Sequence, residues 1–271
     1  MPAADLPLLV RAARDAGPIA LRFWKRQPRA WDKGGTAGPV TEADLAVNDH
    51  LESVLRAARP GYGWLSEESA DDPARRKAAR CFIVDPIDGT RAFIDGQDGF
   101  SHAIAVAEHG RVTAAAVYLP ACDVIYAASA DAPATRNGDP VAPSDVDIDG
   151  ARVLTSRAAL DPEMWRADAP PPFRREFRPS IAWRLCLAAE GRFDAALSLR
   201  PCWEWDVAAA SLIAARAGCT VTDMNGGDLR FNSAGAQVAG VGVAGPRLHR
   251  AIMAARRLAD PVAPPEGEEV A

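Results

Sequence analysis

Cys81-Phe82-Ile83-Val84-Asp85-Pro86-Ile87-Asp88-Gly89-Thr90 begins as a short apolar, β-prone segment and closes in one turn on two carboxylates, a glycine and a hydroxyl. The apolar half reads as a buried strand that Asp85-Pro86 ends in a turn, so the acids sit at its C-terminal end. Carboxylates gathered there suit a divalent cation, and Gly89 lets backbone approach a ligand closely. A helix or single helical turn starting at Thr90 would aim free N–H groups at an anion beside that cation, and phosphate is the natural candidate. Taken alone, the run also reads as an Asp-rich surface turn.

Two further acidic groups stand in matching contexts. Trp64-Leu65-Ser66-Glu67-Glu68-Ser69 places two glutamates after a short apolar stretch, and Trp203-Glu204-Trp205-Asp206-Val207-Ala208-Ala209-Ala210 places an aspartate at the start of an alanine-rich helix. Alone, the first is a solvated charge pair and the second a helix cap. Glu67, Asp85, Asp88 and Asp206 are nevertheless all hard oxygen donors suited to Mg²⁺. Two carboxylates about 4 to 5 Å apart repel by roughly 3 to 4 kcal/mol at an effective dielectric of about 20, and cations are the remedy. Thr41-Glu42-Ala43-Asp44 matches the helix-capping pattern, with Asp in place of the more usual Glu.

These motifs, in this order, resemble the inositol monophosphatase superfamily of Mg²⁺-dependent, lithium-sensitive phosphatases. The resemblance covers nearly the whole chain, from Lys33 and Thr41-Glu42-Ala43-Asp44 to Gly191-Arg192-Phe193-Asp194 and the Asp206 helix. It implies an α/β fold, a layered α-β-α-β-α sandwich. An N-terminal α+β part (1–147) would carry most metal ligands, a C-terminal α/β part (148–258) would complete the site, and 259–271 would be a flexible tail. It also implies two or three Mg²⁺ ions. Glu67 and Asp85 would hold the first with the backbone carbonyl of Ile87, and Asp85, Asp88 and Asp206 a second. Asp44 would pair with Thr90 to orient and deprotonate the attacking water, with Glu67 part of the same catalytic group. Lys33 would lie on a mobile loop beside the metals, its other reading being a solvated lysine. Gly89 and Thr90 would meet the phosphate.

Departures from the inositol-specific pattern bear on substrate. Ser66-Glu67-Glu68 stands where that pattern has Gly-Glu-Glu, and Ala195-Ala196-Leu197-Ser198-Leu199-Arg200 lacks the acid that grips sugar hydroxyls. Leu65-Ser66-Glu67-Glu68, Asp88 to Ile94 and Cys186 to Arg192 are similar to the bacterial 3'(2'),5'-bisphosphate nucleotidases of the CysQ type. Arg184 falls where those enzymes carry a lysine and would suit a second phosphate; its other reading, like that of Arg200, is an ordinary surface arginine. Pro179-Ser180 replaces a usual Gly-Ser or Gly-Thr, leaving Ser180 to cap a helix and meet the ligand. The expected reaction is hydrolysis of 3'-phosphoadenosine 5'-phosphate to AMP and phosphate. The alternatives are an inositol-1-monophosphatase or related sugar or histidinol phosphatase, and a non-catalytic metal-binding regulatory protein. The last would be expected to lose a ligand or the Thr90–Asp44 pair, and this chain keeps all of them.

Composition agrees with one enzyme. The chain has 271 residues, 48% hydrophobic and 25% charged, enough to bury a substantial core. No apolar run reaches membrane-spanning length, and Met1 to Arg14 lacks the charged-then-apolar order of a secretory signal, so the expectation is cytoplasmic. Five cysteines without C-x-x-C spacing argue against a disulfide framework and a zinc site. A net charge of −5 offers no footprint for nucleic acid polymers, leaving a small phosphorylated metabolite as the expected partner and, by resemblance, a homodimer.

Apolar periodicity predicts helices over Leu6 to Phe23 and Thr41 to Ala58, with strands at His102 to Ala107, Val112 to Leu119 and Val124 to Ala128. Beyond Ala151 the pattern alternates: a strand at Val153, helices near Asp161 and over Ser180 to Glu190, and a strand at Phe193 to Leu197. The Asp206 helix should end at Gly218, followed by strands at Thr220 to Asp223 and Gln237 to Val243 and a helix from Pro246.

Overall fold

Period-two alternation in the strand that carries Asp85 and its neighbours builds two cores at once. In β4 (Arg80–Asp88), Phe82 and Val84 face one side while Cys81 and Ile83 face the other. β5 (Ser101–Glu108) and β6 (Arg111–Leu119) repeat the pattern, with Ile104, Val106 and Tyr118 on the first side and a run of alanines on the second. Both faces are buried, which is why these strands read as nearly continuous apolar runs.

The computed structural model describes residues 5–34 and 38–257. The segment 259–271, read above as a tail, lies outside them. The larger sheet has seven strands in the order β3-β4-β5-β6-β7-β8-β9, adding β3 (Gly63–Ser66), β7 (Val124–Ser129), β8 (Ala132–Arg136) and β9 (Asp139–Pro140). Only β3 and β4 run parallel in it. Helices α1 (Leu6–Phe23) and α2 (Glu42–Ala58) cover its first face. On the second face lie α4 (Ile181–Ala189) and α5 (Glu204–Ala217). The strand alanines and Ala208, Ala209 and Ala210 of α5 let helix and sheet approach closely.

These two helices also pack on a five-stranded sheet ordered β11-β10-β12-β16-β14, made from Arg174–Glu176, Arg152–Thr155, Ala195–Ser198, Val241–Ala244 and Thr220–Thr222. Its far face meets α6 (Pro246–Ala255). The layers therefore run α, β, α, β, α, as expected. A short hairpin, β1 (Ala30–Asp32) with β2 (Pro39–Thr41), precedes α2, and a one-turn helix, α3 (Thr90–Ile94), follows β4. A small ribbon pairs β13 (Cys202–Trp203) with β15 (Gln237–Val238).

Four local expectations need correction. The helix expected near Asp161 is a pair of short 3₁₀ turns, Arg157–Leu160 and Pro162–Met164. Pro162 disfavours helical geometry at Asp161, which is extended and caps the second turn instead. The strand expected over Gln237 to Val243 divides between two sheets, because Gly240 adopts φ +79° where a Cβ would collide with the Ser198 carbonyl. β4 continues to Asp88 across a break in register between Asp85 and Asp88, rather than ending at Asp85. The alanine-rich helix starts at Glu204, placing Asp206 in its first turn.

The close packing of α5 on the sheet is testable. Ala209 is buried at 1% exposure. Ala209→Leu should overpack that layer and cost about 1–3 kcal/mol, read as a lower thermal midpoint; an unchanged midpoint would mean the helix can move outward freely.

Candidate active site

Four acids reach one cleft from three separate segments. Glu67 follows β3, its N–H donating to the Val84 carbonyl (3.2 Å), so the parallel pairing of β3 with β4 sets it beside Asp85. Asp85 and Asp88 flank the register break in β4, and Asp206 enters from α5. Glu204, at the start of α5, is buried and accepts from the amides of Asn232 and Ser233, which anchors that helix end. Oxygens of Glu67, Asp85 and Asp206 lie within 4.8 Å of one another.

Asp88 is held differently. Its Oδ2 accepts from the Ser180 hydroxyl (2.5 Å) and the Ala182 amide (2.7 Å), and its Oδ1 from the Ile181 amide (3.2 Å). It thus satisfies the free donors at the start of α4 from across the sheet boundary. Ser180 itself is fully buried, caps Trp183 N–H (2.9 Å) and shares a hydrogen bond with Ser101 (3.1 Å). Behind the turn, His102 donates from Nδ1 to the Pro86 carbonyl. Burial pushes the His102 imidazole down to about 4, so it is a neutral strut at pH 7.

Asp44 divides its two oxygens between two tasks. Oδ2 completes the capping box of α2, accepting from Thr41 N–H (2.8 Å) and the Thr41 hydroxyl (2.5 Å). Oδ1 faces the Thr90 hydroxyl at 3.3 Å, and that hydroxyl also lies 3.1 Å from the Ile87 carbonyl. With one proton, Thr90 can donate to only one of the two at a time. Gly89 adopts φ +99°, and a Cβ there would come within 3.1 Å of the Gly99 carbonyl, so the turn into α3 needs glycine.

The electrostatics are those of a cation site. Burial, then the charges of Glu67, Asp88, Asp206 and Asp44, raises the Asp85 carboxyl well above its usual range. Asp206 is raised well above its range by burial, Asp88 and Glu67. Glu67 and Asp88 are also raised, chiefly by burial, against the pull of Lys33 on the first and the α4 donors on the second. Among the described residues Asp85 Oδ1 is buried without a hydrogen-bond partner. Clustered hard donors, mutual repulsion and an orphaned oxygen together fit a divalent metal. Lys33 supplies the nearest positive charge, its Nζ 2.7 Å from Glu67 and 2.9 Å from Glu68. Burial lowers the Lys33 ammonium, but these two carboxylates outweigh it and hold the group above its ordinary value.

The acids, Ile87, Gly89 and Thr90 line a cleft of about 470 Å³, with Gly38 and Pro39 of the hairpin, Arg91 and Gln97 near α3, and Phe177, Pro179 and Trp203 completing it. Lys33, Asp44, Ser180 and Arg184 are not among its lining residues. Arg184 donates from Nε to the Ser180 carbonyl (3.3 Å), and its guanidinium lies 5.3 Å from the Phe177 ring centre.

The family model of the inositol monophosphatase family matches residues 4–259. The chain belongs to that family. It is accordingly a metal-dependent phosphomonoesterase. Among relatives, it is 30% identical over 233 residues to the 3'(2'),5'-bisphosphate nucleotidase CysQ of Escherichia coli, covering 83% of this chain and 93% of that one. It is 26% identical over 241 residues to an inositol monophosphatase of Dictyostelium discoideum, covering 83% and 86%. The fold superposes on the crystal structure of the extragenic suppressor protein suhB from Bartonella henselae with a TM-score of 0.79, at 24% identity over 93% of this chain and 97% of that one.

Sequence reasoning passed over Glu68, Ser101, Phe177 and Trp203 as site residues. Glu68, beside Glu67 in the acidic pair, and Trp203, three residues before Asp206, carried a readable signal; in the structure Trp203 stacks on Trp205 (4.8 Å, 9°).

The raised carboxyls make stability depend on pH with a defined sign. In the metal-free protein the folded state holds these protons more tightly than the unfolded chain. Their contribution is complete below the ordinary carboxylate values and is lost as pH rises through the raised ones. For Asp44 that window runs from 3.8 to about 6. In chelator the thermal midpoint should therefore fall between pH 5 and pH 8, and a saturating divalent metal should recover most of the loss. A midpoint that rises over that range would contradict the assignment.

Proposed function

We propose that the enzyme is a Mg²⁺-dependent 3'(2'),5'-bisphosphate nucleotidase that hydrolyses 3'-phosphoadenosine 5'-phosphate to AMP and phosphate. The observation that carries the reaction is the convergence of Glu67, Asp85 and Asp206 oxygens beside a Thr90–Asp44 contact on one cleft. The substrate reading is supported by the nucleotidase relatives and by β12, where Ala195, Ala196, Leu197 and Ser198 offer no acid for sugar hydroxyls. The inositol monophosphatase relative keeps inositol 1-phosphate as the second reading.

Glu67, Asp85, the Ile87 carbonyl, Asp88 and Asp206 would hold two or three Mg²⁺ ions. When bound, these supply positive charge that acidifies water and offsets charge building on the phosphate oxygens. The chain's own residues do the rest. Thr90, once its proton points to Asp44 rather than to Ile87, presents a lone pair to the attacking water, and Asp44 Oδ1 receives the relayed proton. Burial raises Asp44 to about 6, so at pH 7 it is mostly ionised and well matched to act as a base. The amides of Gly89 and Thr90 face the scissile phosphate. Arg184 is the candidate for the second phosphate. The five cysteines are all free, which favours a reducing compartment such as the cytoplasm, and the homodimer expected by resemblance belongs to the same proposal.

Steady-state kinetics on 3'-phosphoadenosine 5'-phosphate, inositol 1-phosphate, fructose 1,6-bisphosphate and histidinol phosphate should give the first the highest kcat/KM, with no turnover in chelator. A preference for inositol 1-phosphate would pass the assignment to the second reading. Arg184→Ala should lower the ratio of kcat/KM for the bisphosphate to that for a monophosphate by about ten- to a hundredfold; an unchanged ratio removes Arg184 from substrate binding.

Thr90→Ala and Asp44→Asn should each lower kcat by a factor on the order of 10² or more, and the double variant should lose little beyond either single one. If Asp44→Asn lowers thermal stability while kcat survives, its work is confined to the capping box.

A further inference from the structure

Phe177 is 48% exposed, and of the large apolar side chains this exposed among the described residues it alone lines the cleft. A single exposed phenylalanine is ordinary on a protein surface. This one is braced. The Arg184 guanidinium sits 5.3 Å from the ring centre, and Arg184 is itself tied to the Ser180 carbonyl. Arg178 donates to the Phe177 carbonyl at 2.7 Å. Phe177, Pro179 and Gln97 also form the wall shared with a second cavity of about 440 Å³, which Asp98, Gly99, Arg178 and Trp183 complete. That cavity lies outside the acids and holds no group the proposed chemistry uses. Its size is in the range that takes a small organic ligand, and its makeup, two aromatic side chains with amide, carboxylate and guanidinium groups at the edge, suits a flat heteroaromatic ring. The side chains of Gln97 and Asp98 make no hydrogen bond among the described residues.

We propose that Phe177, held by Arg184, is the stacking platform for the planar base of a nucleotide whose phosphate lies on the acidic cleft, the base extending into the adjoining cavity. The inference rests on the nucleotidase reading and adds a binding subsite to it. In this arrangement Arg184 presents the ring first and meets phosphate second.

The test compares adenosine 5'-monophosphate with ribose 5-phosphate as competitive inhibitors of the Mg²⁺-loaded enzyme acting on a generic phosphomonoester. The two share the phosphate and the sugar and differ at C1, which carries adenine in one and a hydroxyl in the other. The nucleotide should bind about tenfold or more tightly, the ratio should fall to near one in Phe177→Ala and Phe177→Leu, and Phe177→Tyr should keep it. A ratio near one in the unsubstituted enzyme, as when a second copy of the chain covers the ring, overturns the subsite, and so does a ratio that survives Phe177→Ala. A high ratio that depends on Phe177, with poor turnover of 3'-phosphoadenosine 5'-phosphate, would instead leave the subsite standing and remove the proposed substrate.

Discussion

Repulsion among buried carboxylates is the constraint around which this molecule is arranged. At an effective dielectric of about 20, each pair roughly 5 Å apart costs about 3 kcal/mol, so a few such pairs rival the whole stability of a domain. The chain relieves part of this internally. Lys33 bridges Glu67 and Glu68, and the free donors at the start of α4 close on Asp88. Asp206 has a backbone hydrogen bond at Trp203 and the charge of Arg184 in its favour, yet its carboxyl and that of Asp85 both rise well above their usual range. Protons or divalent metal must supply what the side chains do not, which ties folding of the site to its working state.

The surrounding elements serve this arrangement by fixing where each acid emerges. The parallel pairing of β3 with β4 brings Glu67 beside Asp85, His102 braces the Pro86 carbonyl between Asp85 and Asp88, and Glu204 pins the start of the helix that carries Asp206. Asp44 shows the same economy on a smaller scale. Because its two oxygens have separate partners, the capping and proton-accepting readings of Thr41-Glu42-Ala43-Asp44 need not compete.

What could be read from sequence follows from the range of the interactions involved. The helices over Leu6–Phe23 and Glu42–Ala58 were legible because an apolar stripe specifies each locally, with a capping box at Thr41 marking the start of the second. So was the layered order, since motifs in family sequence carry it. β11 (Arg174–Glu176) was not legible, because its three residues are polar or charged and become a strand only by pairing with Arg152 to Leu154. The break at Gly240 depends on a carbonyl about 40 residues away, which no local pattern announces. Among the site residues, Glu67, Asp85 and Asp206 could be gathered by chemical type, whereas the seating of Asp88 against α4 could not. Ser180 looked like a ligand contact by its place at a helix start, yet it is buried behind Asp88.

The same geometry separates chemistry from selectivity. The acids and Thr90 belong to the floor of the cleft, locked by strand pairing and by bonds to helix starts. Phe177 and Pro179 precede α4, and Trp203 precedes α5, so the wall is made from residues just outside those locked ends. A substitution in the wall can alter the space offered to a leaving group while keeping the Ser180, Ile181 and Ala182 donors that seat Asp88 and the Glu204 bonds that pin the start of the Asp206 helix. Relatives that differ in substrate can therefore share one metal-bearing floor, and the residues that distinguish them are to be sought immediately before α4 and α5 rather than in the strand that ends at Asp88.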